Sequence, residues 1–196
     1  MPRLYILAGP NGTGKTTYYT TALSEIFIET QLAFLNIDLL TKELGGFTPE
    51  NFAHAEMIYR ERITSLVKSQ SDFMIESNLA KSSDYDWLEN MAKAGYDIVL
   101  YFLCTDDINI HIRRVQQRVI EGGHDIAVEI IKHRYQMALT YLKGKLQLFK
   151  EVYLIDNSTD EAIIAAQITD EGLIEFSVSR YRWVNEILHL YKRMKR

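Results

Sequence analysis

Residues 9–16 read Gly9-Pro10-Asn11-Gly12-Thr13-Gly14-Lys15-Thr16. This is the pattern G-x-x-x-x-G-K-[ST], and it restricts the fold more than any other stretch of the chain. Its flanks agree with it. Leu4-Tyr5-Ile6-Leu7-Ala8 is a short apolar run that predicts a buried strand. Thr17 to Leu23 predicts a helix. Strand, glycine turn and helix together make a phosphate-binding loop. Gly9, Gly12 and Gly14 can take positive φ and keep Cβ atoms clear of an anion. The loop amides and the helix N-terminus then point at phosphates. In such a loop Lys15 reaches the β- and γ-phosphates and Thr16 is placed to ligate Mg²⁺. The remaining positions, including Thr17, line the nucleotide side.

The other strands follow in order. Ala33 to Asp38 reads as a second strand that ends in a carboxylate, with a short helix over 39–44 stopped by Gly45-Gly46. Thr48-Pro49-Glu50-Asn51 has the cap, proline and early acid of a helix start. Phe52, Ala55, Tyr59, Ile63 and Leu66 then share one helical face. Phe73-Met74-Ile75 is a third strand, closing at Glu76-Ser77-Asn78. Ser83 is a candidate cap for a helix that runs to Ala94 and stops at Gly95. Asp97 to Cys104 is the most apolar strand and is expected in the middle of the sheet. A helix from Asp106 turns Ile108, Ile112, Val115 and Val119 inward and ends at Gly122-Gly123. A long helix spans about 127–149, and Val152 to Ile155 is a fifth strand before Asp156-Asn157-Ser158.

Strands alternating with helices predict a parallel sheet wrapped on both faces. The tail departs from that rhythm. Two short apolar runs, Ile163–Ile168 and Leu173–Val178, flank Thr169-Asp170-Glu171-Gly172 and predict a hairpin. Arg180 to Arg196 predicts a last helix with a basic end that suits its macrodipole. The chain has 196 residues with 47% hydrophobic content, enough for one domain with a core. A net charge of -4 argues against a general nucleic-acid binder. The single cysteine, Cys104, excludes an intrachain disulfide and reads as a small buried hydrophobe. The first residues lack signal-peptide character and no run is long enough to span a bilayer. A cytoplasmic location is the expectation.

Ligands of open α/β sheets bind beyond the carboxyl ends of the strands. Asp38, Glu76 and Asp156 are all expected there, beside the glycine loop. A phosphotransferase needs such an acid to orient or deprotonate an acceptor hydroxyl. Asp38 is the candidate base; helix N-capping before Leu39 is the alternative. Glu76 is placed to bind acceptor hydroxyls or to hold a water on Mg²⁺; a structural loop acid is the alternative. Asp156 reads first as a turn residue. Arg114 and Arg118 share a helix face, and Arg134 borders the stripe of the next helix. Joined by Gly122-Gly123-His124-Asp125, these helices have the form of a lid over phosphates. The alternative is a solvated basic face paired with Glu121 and Glu129.

Taken together, these residues resemble the zeta-toxin family of P-loop kinases. The resemblance covers most of residues 3–158. It rests on the loop with Thr17, on Asn36-Ile37-Asp38, on Ile75-Glu76-Ser77-Asn78-Leu79 and on Arg114 through Val119. Gly122-Gly123-His124-Asp125, Arg134-Tyr135 and Asp156-Asn157-Ser158 complete it. It implies a three-layer P-loop NTPase fold with a five-stranded, mostly parallel sheet, ordered as in nucleoside-monophosphate kinases. That kinase domain would span 1–160 with a helical lid near 106–149, and the hairpin and helix of 161–196 would be an appendage.

The resemblance also implies ATP as donor, Mg²⁺ as cofactor and UDP-N-acetylglucosamine, or another UDP-sugar, as acceptor. A small antitoxin protein is the implied partner. Carried over by position, Asp38 resembles the family's general base and Glu76 its substrate-binding acid, with Asn78 beside it. Arg118 and Arg134 resemble its phosphate-clamping arginines, joined by Arg114. The family often has threonines where Ser77-Asn78 stand, and proline where Ile126-Ala127 follow the His-Asp pair. Its additional substrate glutamate has no clear counterpart; Glu56 stands four before Arg60 and is placed to pair with it. A different acceptor (a nucleoside, another sugar, an RNA end) and a nucleotide-dependent switch are the alternative readings.

Overall fold

The computed structural model describes residues 1–25, 32–177 and 180–195. Val178 at the end of the expected hairpin and Arg196 at the end of the last helix lie outside the described residues. Seven strands form one sheet: β1 (Arg3–Ala8), β2 (Ala33–Leu35), β3 (Phe73–Ser77), β4 (Asp97–Cys104), β5 (Glu151–Asp156), β6 (Ile163–Thr169) and β7 (Gly172–Glu175). Their order is β2-β3-β1-β4-β5-β6-β7. The first five are parallel to their neighbours, and β6 and β7 are antiparallel. β4 lies in the middle, as its apolar run predicts.

The sheet therefore has seven strands rather than the five expected. β6 pairs with β5 from Val152↔Ile168 to Asp156↔Ile163. That pairing satisfies the outer edge of β5, and it buries Ala165, Ala166 and Ile168 in the main core. A hairpin signal specifies only its own two strands, so the sequence is silent on what the hairpin joins.

The helices are α1 (Lys15–Tyr18, continued as a π-helical stretch Tyr19–Leu23), α2 (Ile37–Glu43), α3 (Pro49–Lys68) and α4 (Ser82–Lys93). They continue with α5 (Ile108–Ile120), α6 (Val128–Lys145, with a 3₁₀ turn Leu146–Leu148) and α7 (Arg182–Met194). Strand alternation sorts the core into two layers. Leu4, Ile6 and Ala8 of β1 and Ile98, Leu100, Phe102 and Cys104 of β4 face the larger cluster, shared with α4, α6 and α7. Leu7 and Leu103 face the smaller one, under Tyr18 and Leu23. Burial on both faces is why the parallel strands read as unbroken apolar runs. Among the described residues, no helix is long and apolar enough to cross a membrane.

Three local readings change. β2 ends at Leu35, and Asn36 caps α2 by accepting from the Leu39 amide at 3.1 Å. Asp38 is therefore in the first helical turn, not at a strand end. Asp107 caps α5 by accepting from the Asn109 amide, whereas Asp106 reaches across to accept from the amides of Arg182 and Trp183 at 2.8 Å each. On α5 the fully buried residues are His111 and Val115, while Ile108, Ile112 and Val119 are half-buried. The helix is turned so that His111 sits under the glycine loop, where polar partners satisfy it.

Candidate active site

The glycine loop leaves β1 where the chain has strands on both sides: β3 against one edge and β4 against the other. The chain leaves β1 for β2 on one side, and β4 on the other side is entered from β3, so the strand order reverses between β1 and β4 and opens a crevice at the carboxyl end. The loop is seated closely. A Cβ on Gly9 would lie 2.1 Å from the Leu103 carbonyl oxygen, and one on Gly12 would lie 2.4 Å from that of His111. Gly9 at φ 137° and Gly12 at φ 78° also occupy backbone space that favours glycine. Gly14, with φ 85°, stands at the N-cap position of α1, so its helix starts at Lys15.

Lys15 is folded onto the loop. Its Nζ donates to Gly9 O at 2.8 Å, to Pro10 O at 3.3 Å and to Asn78 Oδ1 at 3.1 Å. Burial pulls its ammonium below the ordinary lysine value; the Glu76 and Asp38 carboxylates oppose that, and Arg118 and Arg134 add to it. Glu76 ends β3 beside the loop. Its Oε2 accepts from Thr16 Oγ1 at 2.9 Å and from Asn36 Nδ2 at 2.7 Å, and its Oε1 lies 3.8 Å from Lys15 Nζ.

The three arginines border the same cleft, and one of them reaches the glycine loop. Arg134 of α6 donates to Asn11 Oδ1 at 2.9 Å. Arg118 of α5 donates to His124 O at 3.0 Å, and its Nη1 lies 3.9 Å from Asp38 Oδ2. Its Nε is buried without a hydrogen-bond partner. Arg114 donates to the carbonyls of Asn157 at 2.8 Å and Thr159 at 3.4 Å, and burial lowers its guanidinium's pKa. Asn157 in turn donates to Thr13 O at 2.7 Å. The solvated basic face is not what forms: Glu121 accepts from Gln117 and Glu129 pairs with Lys132.

A cleft of about 990 Å³ joins these groups. Asn11, Gly12, Gly14, Lys15, Thr16 and Thr17 line one side of it; Asp38, Glu76, Asn78, Arg114, Arg118 and Arg134 complete the wall. Gly9, Pro10 and Thr13 do not line the cleft. Gly9 and Pro10 present their carbonyls to Lys15, and Thr13 is fully buried. Asp156 is buried and structural in its contacts, accepting from Trp183 Nε1 at 3.0 Å and from the Ser158 amide. Glu56 lines the cleft and also pairs with Arg60 at 3.7 Å.

Among the described residues no group of three or more His, Cys, Asp or Glu side chains would hold a metal. The Thr16 hydroxyl beside the Glu76 carboxylate is a pair of hard oxygen donors, and Mg²⁺ uses one or two of these and draws its other ligands from water and phosphate. The residues present fit that ion.

Asn36 and Asn157 stand in motifs that assign them no role of their own, and His111 stands in none. Asn36 ties Glu76 to α2. Asn157 ties the loop after β5 to the glycine loop. His111 is fully buried, with Nδ1 3.0 Å from Asn11 O and Nε2 3.0 Å from Thr105 Oγ1. A carbonyl only accepts, so Nδ1 carries a proton; Thr105 Oγ1 lies between Nε2 and the Asp107 carbonyl, 2.9 Å away, and its one hydrogen serves one of the two. Tyr135 packs edge-on against the ring and donates to Thr105 O at 2.9 Å. The signal available in the sequence was one polar residue on the inward stripe of α5.

No family model matches the chain. An uncharacterized protein of Haemophilus influenzae is 26% identical over 131 residues, covering 65% of this chain and 88% of that one. Among solved structures, the complex of AvrRxo1-ORF1 and -ORF2 with ATP contains a similar chain. The TM-score is 0.69 at 15% identity, covering 94% of this chain and 63% of that one. This chain thus spans less than two thirds of that neighbour's length. A chain of the PezAT toxin–antitoxin system of Streptococcus pneumoniae has a TM-score of 0.57 at 17% identity, covering 100% of this chain and 86% of that one. At such identities the likeness is one of fold.

Proposed function

We propose that this chain is an ATP-dependent kinase that transfers the γ-phosphate to a hydroxyl of a small acceptor, foremost a nucleotide sugar such as UDP-N-acetylglucosamine. One observation carries the reading: Lys15, Thr16, Glu76, Asp38, Arg118 and Arg134 come from five elements and line a single cleft at the carboxyl end of the sheet. Phosphoryl transfer asks the protein for positioning and charge stabilisation, and this set offers both. Bound Mg²⁺ would neutralise charge on the phosphates, held from the protein side by Thr16 with Glu76 next to it.

In this reading Lys15 gives up one of its three hydrogen bonds to meet the β- and γ-phosphates. Arg134 exchanges Asn11 for a phosphate oxygen, and the unpartnered Nε of Arg118 gains an acceptor. α5 and α6 act as the lid, near 106–149. Asp38 takes the acceptor's hydroxyl proton as the new O–P bond forms and the β,γ-bridging P–O bond breaks, releasing ADP. Asp38 is half exposed and faces Arg118, so it is open to an acceptor. Phe52, Ile37 and Glu56 on the same wall offer an apolar surface and a carboxylate, a pairing that suits a hydroxyl-bearing ring. The neighbour from a toxin–antitoxin system supports a small inhibitory protein as partner.

The experiment is a γ-phosphate transfer assay with Mg·ATP against UDP-sugars, nucleosides and RNA 5′ ends. A UDP-sugar is expected to accept phosphate. Lys15→Ala should abolish transfer and weaken nucleotide binding. Asp38→Ala should abolish transfer and leave nucleotide binding largely intact. Normal turnover by Asp38→Ala would sink the base assignment, and phosphate release that no acceptor raises would favour a nucleotide switch.

A further inference from the structure

We propose that Asn78 is a latch on Lys15: it competes with the nucleotide for the ammonium, and its release presents the carboxamide to the acceptor. Nucleotide binding then precedes and strengthens acceptor binding. The inference rests on the kinase reading above and deepens it.

An ammonium has three hydrogens. Those of Lys15 are all engaged, by Gly9 O, Pro10 O and Asn78 Oδ1, and the side chain is only 7% exposed. A phosphate oxygen can be met only when one of the three is given up. Two belong to the loop backbone. That backbone cannot retreat, because Gly9 is already seated against the Leu103 carbonyl. The third ends a side chain with two free torsions. The bond that yields is the one to Asn78.

The backbone around Asn78 is held by other means. Ser77 Oγ accepts from the Leu79 amide at 3.1 Å. Leu79 is buried, 1% exposed, in a left-handed conformation with φ 48°. A leucine keeps that conformation only where its surroundings over-determine it, and such positions gather at ligand clamps and switches. A freed Asn78 side chain therefore stays at the cleft wall, which Ser77, Lys81 and Asp84 also line. Held by Lys15 its oxygen is engaged; released it adds a free acceptor to its two amide donors, and the whole carboxamide can meet a sugar hydroxyl. Glu76 has no such freedom, since Thr16 and Asn36 both hold it.

The test titrates a non-hydrolysable ATP analogue with Mg²⁺ into wild type, Asn78→Ala and Asn78→Thr, with AMP as the control that does not reach Lys15. Both variants should bind the analogue about three- to tenfold more tightly, the net worth of one typical hydrogen bond, with AMP affinity unchanged. A merely structural asparagine would weaken or leave unchanged all binding when removed. UDP-N-acetylglucosamine should bind wild type more tightly when the analogue is present, and the enhancement should vanish in both variants. If wild type binds the analogue and neither variant binds it more tightly, the latch is wrong while the nucleotide reading stands. If wild type does not bind the analogue, both fall. If the sugar fails to bind, or binds without enhancement, the hand-off to the acceptor is overturned.

Discussion

His111 should make the stability of this protein depend on pH in a way that one substitution removes. The imidazole is fully buried among β4, α6 and the glycine loop. Burial pushes its pKa down to about 4, against the opposing hydrogen bond to Asn11; Lys15 and Arg114 push it lower and Asp107 pulls it up. In the unfolded chain an imidazole titrates near 6.5. The folded value is depressed, so the stability this neutral ring contributes is complete above about pH 6.5 and drains away as pH falls toward 4. At pH 5 the unfolded state holds almost a full proton and the folded state about a tenth of one. Linkage then gives a loss of about 2 kcal/mol between pH 7.5 and pH 5. For a chain of this length that is a fall in Tm of roughly 4–8 °C. The assay is urea unfolding at several pH values for wild type and His111→Asn. The asparagine keeps a donor near Asn11 O but does not titrate. The variant will be less stable throughout, so the slope is the readout. Parallel pH profiles for the two proteins would refute a neutral, buried His111.

Two other perturbations test the packing around the site. Trp183 is 2% exposed, lies 5.9 Å from the Phe102 ring and donates to the buried Asp156. Trp183→Ala should cost about 3–5 kcal/mol, from the cavity and the lost donor to one Asp156 oxygen, as measured by denaturant unfolding; a cost below 1 kcal/mol would show that α7 is not docked as described. Cys104 is fully buried on β4, and burial raises its thiol pKa well above the ordinary value. It should resist Ellman's reagent at pH 8 until the protein is unfolded, and rapid labelling of native protein would contradict the central placement of β4.

Much of the architecture was legible because local rules and the global fold agree. Phe73 to Ile75 and Ile98 to Cys104 are unbroken apolar runs because both faces of a parallel strand are covered. The Thr48 cap and Pro49 start of α3 read directly, with Thr48 Oγ1 accepting from the Asn51 amide at 3.2 Å. The start of α2 was misplaced because Asn36 and Asp38 both suit a cap. The hydrogen bond from Asn36 to Glu76, 40 residues away, accompanies the choice of Asn36. The inward face of α5 was misread because a buried histidine looks polar until its partners are known.

The order of residues alone determined the glycine loop, since only glycine at Gly9, Gly12 and Gly14 accommodates the required positive φ and close approach. It also determined the alternation of strand and helix, and the residue types suited to bind phosphate. Only the tertiary structure decided that Lys15 rests on Asn78, that Glu76 belongs to Thr16 and Asn36, and that the hairpin extends the sheet to a seventh strand. The reason is distance along the chain. Periodicity and capping act over a few residues, whereas partners 63 or 60 positions apart meet only after the sheet has closed.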